Sequence, residues 1–266
     1  MERQPNAQYI LSLSYGKDSL ACLAAIEQLG LPLDRIVHAE VWATDTIPAD
    51  LPPMMDFKKK ADAIIKERWG IEVEHIKSIQ TYDEVFYRVR NNSKVGNNGK
   101  IYGFPVGLRP WCTGELKQKS MRMIRGKGDI HYLGIAVDEP KRIAKNTKSG
   151  IKMPLVEVGW DEAYCRQWCE ENDLLSPIYT TATRGGCWFC HNQPVDQLRL
   201  LRKNYPEYWQ LLLKWDLDSP VTFKADGHTV HDFDKRFYLE ENGLIDTKKP
   251  FRWKMLEESQ TIIKGI

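Results

Sequence analysis

The side chains best spaced for chemistry are Ser12, Ser14, Tyr15, Gly16, Lys17, Asp18 and Ser19. They lie in the run Tyr9-Ile-Leu-Ser-Leu-Ser-Tyr-Gly-Lys-Asp-Ser-Leu-Ala21. An apolar run ends there in a small, polar turn that opens at once into the apolar-periodic stretch Leu20–Leu29. A strand, a tight turn and a helix N-terminus in that order form an anion cradle, because backbone N–H groups point outward and the helix dipole favours negative charge. Lys17 adds a cation, and the serines add hydroxyl donors. The spacing is not that of a Walker A loop, which needs four residues between its first Gly and the Gly-Lys-Ser/Thr.

Cysteine supplies the second chemistry. Arg184-Gly-Gly-Cys187-Trp-Phe-Cys190-His191 sets two cysteines at a glycine-rich turn. That spacing points both sulfurs at one metal, although a redox dithiol uses it too. Cys169 precedes them in a C-x17-C-x2-C arrangement, and Cys112 sits in Arg109-Pro-Trp-Cys-Thr113. Cys112, Cys169, Cys187 and Cys190 match the number of ligands that closes either a tetrahedral zinc site or a cubane cluster, and thiolate chemistry leaves both open. Cys165, one helical turn before Cys169, and His191 are alternative fourth ligands. Cys22 falls on the first helix and reads as a small buried apolar residue.

These groups need a frame. Strand signals at 9–13, 35–42, 73–78 and 130–136 alternate with helical spacing at 19–29, 57–69, 83–90, 113–125 and 161–173. The alternation implies an α/β fold, a parallel sheet with helices on both faces. Ligands of such sheets sit beyond the carboxyl ends of the strands, where the turn 14–19 falls. Gly134-Ile-Ala-Val-Asp-Glu-Pro-Lys-Arg142 follows the strand signal at 130–136, so Asp138, Glu139 and Arg142 emerge at the same edge. There Arg142 suits bidentate contact with an anion. Asp45 ends the second strand segment. Lys117, one helical turn past Cys112, is within reach of a phosphate. Asp18 suits Mg²⁺ held directly or through water. His38, His75 and His131 lie in or beside strands and read as core or edge histidines. Residues 91–102 carry turn signals and lysines and read as a loop. After Pro194 the pattern becomes helical, with an amphipathic run at 197–213, a short helix at 233–243 and a basic, then amphipathic, tail at 248–266. The expected division is a domain over 1–194 and a helical extension over 195–266.

A chain of 266 residues buries a full core. No apolar run approaches the roughly 20 residues of a membrane span, and Met1-Glu-Arg-Gln-Pro-Asn lacks the apolar segment of a signal peptide. A cytoplasmic protein is expected, with cysteines serving as ligands or thiols rather than disulfides. The net charge of +2 is unevenly spread. From Arg88 to Lys152 there are 15 Lys/Arg against 4 Asp/Glu, whereas the rest holds 23 against 32. A basic middle in an acidic frame suggests an anionic partner, ATP in part and nucleic acid in larger part.

The order Ser-x-Gly-Lys-Asp-Ser resembles the pyrophosphate loop of the ATP pyrophosphatase and sulfonucleotide reductase superfamily, with Tyr15 where glycine is common. Four segments in order resemble its phosphoadenosine phosphosulfate reductase-like branch. They are Ser14–Ser19, Arg109–Lys117, Gly134–Arg142, and the block from Pro154 through Tyr179 to Cys190. The resemblance covers about residues 8 to 194. It implies a Rossmann-like fold that binds ATP. In it Ser12–Ser19 meet the pyrophosphate, Asp45 lies near the nucleotide, and Arg109, Gly134 and Arg142 belong to segments on the phosphates or sulfate. Cluster-bearing relatives place paired cysteines before a lysine; here Cys112 matches the first and Thr113 replaces the second. The C-x17-C-x2-C spacing is similar to that of the iron–sulfur, ATP-cleaving sulfur-transfer proteins of DNA phosphorothioation, which implies a [4Fe-4S] cluster rather than zinc. Sulfonucleotide reductases attack sulfur with a cysteine near the C-terminus, and the 76 residues after Cys190 hold none.

The expectation is an ATP pyrophosphatase-type enzyme that adenylates an acceptor and releases pyrophosphate, coupled to sulfur transfer. Lys17, Asp18, Lys117 and Arg142 would act at the phosphates, with Mg²⁺ neutralising them. A sulfonucleotide reductase using an external thiol and a non-catalytic nucleotide- and cluster-binding regulator are the alternatives. The expected partners are an adenine nucleotide, a nucleic-acid acceptor and a sulfur-donor protein, with no membrane; the sequence leaves the oligomeric state open.

Overall fold

The computed structural model describes residues 3–91, 98–107, 110–181 and 186–256. It resolves into two compact units, Met1–Tyr82 with Cys112–Cys187, and Asp83–Trp111 with Trp188–Ile266.

The first unit is an α/β layer structure. Its strands are β1 (Tyr9–Ser12), β2 (Arg35–Glu40), β3 (Val73–Lys77), β4 (Ile130–Tyr132) and β5 (Ile151–Lys152). Their order is β3-β2-β1-β4-β5, and every pairing is parallel. Tyr9, Ile10 and Leu11 of β1 are fully buried, as expected of a central parallel strand covered on both faces. Around the sheet lie α1 (Lys17–Gln28), α2 (Pro52–Trp69), a π-helical turn (Thr113–Gln118), α4 (Lys119–Met123), α5 (Pro140–Asn146), α6 (Pro154–Val158), α7 (Glu162–Glu171) and α8 (Ile178–Thr181), while all of α3 (Tyr82–Phe86) but its first residue belongs to the second unit.

Local sequence explains the two helices nearest the site. α1 buries every residue from Ser19 to Ile26 and packs on α6 and α7. α2 starts on Pro52 and Pro53, whose missing N–H groups have no helical partner to lose, and stops at Gly70 in the left-handed conformation. It buries Met54, Phe57, Lys58, Ala61 and Ile65, one face at three-to-four-residue spacing. The chain steps outward from β1 through β2 and β3, then returns to the other side of β1 with β4 and β5. The strand order therefore reverses between β1 and β4, the topological position at which open α/β sheets bind ligands.

The second unit is built on α9 (Val195–Asn204), α10 (Pro206–Asp218) and α11 (Val230–Glu241). The single helix expected over 197–213 is two helices. Pro206 lacks a donor and biases Tyr205 away from the α region, and Tyr205 adopts φ −137°, ψ 64°. The expected partition at 194 also differs from the observed one, because residues 83–111 join the C-terminal helices. Trp215 Nε1 donates to Asp83 at 2.7 Å, Phe104 N donates to Ser219 Oγ at 3.2 Å, and Gly103, at φ +64°, lies against Ser219 and Pro220 with no room for a Cβ. Trp209 Nε1 and Arg202 both donate to Asp234, which ties α9, α10 and α11 together.

Candidate functional site

The turn after β1 opens at the strand-order reversal. Gly16 precedes α1 in extended conformation and, having no side chain, gives the helix no N-cap hydrogen bond. The first N–H groups of a helix have no intrahelical acceptor, so this end is a donor surface. Ser19 shapes it: its hydroxyl accepts from Ser14 N at 3.1 Å and donates to Gly16 O at 2.9 Å, and Ser14 Oγ lies 3.0 Å away. Ser19 is buried and works inside the turn, while Ser14 is exposed. Gly134, just past β4, touches the first turn of α1. A Cβ there would come within 2.5 Å of Asp18 O and 2.6 Å of Ser19 Cα. This glycine is needed for the close approach of two backbones.

Lys17 Nζ lies 2.8 Å from Asp18 Oδ1 and 2.8 Å from Glu162 Oε2. Burial opposes its charge, but the hydrogen bonds it donates to these carboxylates prevail and hold its pKa above that of an ordinary lysine. Burial raises Asp18 despite the lysine beside it. Sequence reasoning missed Glu162, the first residue of α7, whose backbone N donates to Asp138 at 3.2 Å. Asp138 thus satisfies the first N–H of α7, whose N-cap is Asp161, accepting from Tyr164 N at 2.7 Å. Nor did that reasoning single out Tyr179, whose hydroxyl accepts from Lys17 N at 3.3 Å and stands over Gly16.

Tyr15 departs most from expectation. Its backbone is left-handed, φ +56°, a conformation that costs a non-glycine residue about 1 kcal/mol or more. Its side chain is fully buried rather than presented to a ligand. The hydroxyl donates to Asp62 of α2 and lies 3.1 Å from His75 Nε2. His75 bridges Asp62 at 2.9 Å and Glu40 at 2.8 Å. Beside the ring, buried Lys58 reaches His38 Nε2 at 2.7 Å and Asp50 at 2.6 Å. His38 Nδ1 lies 2.9 Å from Leu13 O, so Nδ1 carries the proton and Nε2 accepts from Lys58. Burial first, then the charge of Lys58, lowers the His38 pKa to about 3.

The other expected residues stand on separate elements, and Glu139, the partner of Arg142, is near enough to Asp18 for its charge to help raise that carboxyl. Ser12 ends β1. β2 stops at Glu40, so Asp45 lies five residues on, exposed, in a turn closed by Ala43 N to Ile47 O at 2.8 Å. Arg142 is exposed and paired with Glu139 at 2.6 Å. Lys117 is exposed on the π-helical turn and is among the charges that keep His38 neutral. Arg109 lies outside the described residues, as do residues 92–97 of the loop 91–102 and residues 257–266 of the tail. Cys169 is enclosed in the core, where its Sγ donates to Lys17 O at 3.3 Å and burial pushes its thiol up to about 12. Cys165 and Cys22 are buried too. Cys112 and Cys187 are half-buried, and the division of the units falls inside Cys187-Trp-Phe-Cys190. No three His, Cys, Asp or Glu side chains are grouped as a metal ion requires, among the described residues. Cys112, Cys169 and Cys187 of the first unit therefore do not, as they stand, fit around one cluster or zinc ion.

No family model matches the chain, and no curated protein matches it. Among solved structures it is similar to the U34-tRNA thiolase NcsA from Methanococcus maripaludis with its [4Fe-4S] cluster. Identity is 16%, over 87% of this chain and 81% of that chain, with a TM-score of 0.37.

Proposed function

We propose that the chain is an ATP pyrophosphatase-type enzyme that seats the triphosphate of ATP on the turn 14–19 and adenylates an acceptor. The observation that supports this most is the juxtaposition at the strand-order reversal. α1 begins there on Gly16, which has no side chain to cap it, Lys17 and Asp18 stand in its first turn, and Gly134 brings the exit of β4 against the same turn. An acceptor oxygen or sulfur attacks the α-phosphorus, and the bond to the β-phosphate breaks with its electron pair leaving on pyrophosphate. The helix N-terminus and Lys17 meet the charge on the leaving group, a contribution of position and fixed electrostatics. Lys17 exchanges Glu162 for phosphate as the nucleotide binds. Mg²⁺ enters with ATP as part of the substrate, and Asp18 meets it directly or through water. Lys117 and Arg142 contact the remaining phosphates, Arg142 after releasing Glu139.

The C-x17-C-x2-C spacing supports sulfur transfer, from a donor protein, as the fate of the adenylated group. No step runs through a cluster, because the cysteines of the first unit are not gathered to hold one. The basic stretch from 88 to 152 supports a nucleic-acid acceptor. Calorimetric titration with ATP, combined with product analysis, tests the reading. Hydrogen bonds to charged groups contribute about 1.5–3 kcal/mol, so Lys17→Ala is expected to weaken ATP binding by about tenfold to a hundredfold with little change in Tm. Equal affinity in both proteins removes the turn from the site. Release of ADP and phosphate rather than AMP and pyrophosphate rules out adenylation.

A further inference from the structure

We propose that Tyr15 is the positioning residue of this turn: its hydroxyl, tied to Asp62 and His75, holds the backbone of 14–19 in the shape that receives phosphate. The inference rests on the reading of the turn as the ATP site. Glycine would adopt φ +56° without strain, so a tyrosine there gains its place through its side chain. That side chain is fully buried, with its ring 4.8 Å from the His38 ring and 5.3 Å from Lys58 Nζ. Its hydroxyl donates to Asp62, whose second oxygen lies 2.9 Å from His75 Nε2, and His75 is in turn held by Glu40. The middle of the turn is thereby fastened to α2, β2 and β3, while its ends are fixed by β1 and α1. Asp62, His75 and Glu40 lie outside the turn, so whatever they contribute to nucleotide binding passes through Tyr15.

Tyr15→Phe and Asp62→Ala remove the same contact from opposite ends. A small displacement at a binding site is costly, so each is expected to weaken ATP binding by about tenfold in calorimetric titration. Both are expected to speed amide hydrogen exchange of the peptide spanning 13–19 in the absence of nucleotide. The double variant is expected to lose no more affinity than either single variant, because residues acting through one contact are not additive. Unchanged affinity and exchange in the single variants overturn the proposal, as does an additive loss in the double. A fall in Tm with ATP affinity intact also overturns it, since the ring would then be core packing alone. If wild type binds no ATP and exchange still rises in both variants, the anchor stands and the ATP reading fails.

Discussion

Lys17 shows how a single residue is kept ready for an anion. Two carboxylates hold it charged in place at the helix N-terminus, and one of them, Glu162, belongs to a different helix and is half exposed. Water competes for the exposed side of Glu162, so a polyphosphate can replace it at Lys17. His38, nearby, is the opposite case, a side chain kept uncharged. Its neighbours are the Lys58 ammonium, His75, the Tyr15 ring and the more distant Lys117. In the unfolded chain it takes up a proton near its ordinary value of 6.5, whereas in the folded chain it resists protonation down to about 3. The unfolded state binds more protons throughout that window, so stability is full above 6.5 and falls as pH drops towards 3. Denaturant unfolding at several pH values checks this. His38→Gln, which cannot titrate, is expected to show a shallower loss between pH 7 and pH 5 than wild type. Parallel curves would show that other groups carry the acid sensitivity.

At the scale of elements, the site depends on the close approach of the β4 exit to the start of α1. Gly134→Ala places a methyl group against the backbone of Asp18 and Ser19, where no flexible side chain can yield. Overpacking of this kind costs about 1–3 kcal/mol, and the strain falls on the first turn of the helix. The variant is expected to unfold at lower denaturant and to bind ATP more weakly than its loss of stability explains. Wild-type stability would mean that β4 and α1 separate easily. The same elements show what a sequence reveals. β1 and β2 were legible as apolar runs, β3 as a short strand signal, and α1 and α2 by helical spacing; Gly70 marked the end of α2, whereas its start on Pro52, before the expected 57, was not read. β5 has two residues and α5 and α6 are short, so none carries a period to read. The strand expected over 130–136 stops at Tyr132 because the chain must turn at Gly134 to meet α1. A continuous aromatic and leucine face masked the break at Pro206. The pocket for Tyr15 was hidden for another reason: Asp62 and His75 lie 47 and 60 positions away in sequence, and only the parallel pairing of β2 with β3 and the packing of α2 bring them to it.

For the whole molecule the open quantity is the acceptor, and charge is the property that bears on it. The first unit contributes ten lysines and arginines between Cys112 and Lys152, and Lys141 and Lys145 of α5 are exposed. A small acceptor needs no such excess, whereas a polyphosphate chain binds through it and releases counterions as it does. Binding of a single-stranded or duplex oligonucleotide, followed by fluorescence anisotropy at rising salt, distinguishes the two. A surface that neutralises about six phosphates loses affinity by about a thousandfold between about 50 and 200 mM salt. Lys141→Glu with Lys145→Glu is expected to weaken oligonucleotide binding and to flatten the salt slope by about two phosphates' worth, near 0.9 in the logarithm for each. ATP affinity should stay unchanged, since neither side chain belongs to the turn that holds the nucleotide. Weak, salt-insensitive binding in wild type would leave the charge as a solvated surface and turn the search towards a small-molecule acceptor. A steep slope that the double substitution leaves intact would move the nucleic-acid contact to the other basic residues between 88 and 152.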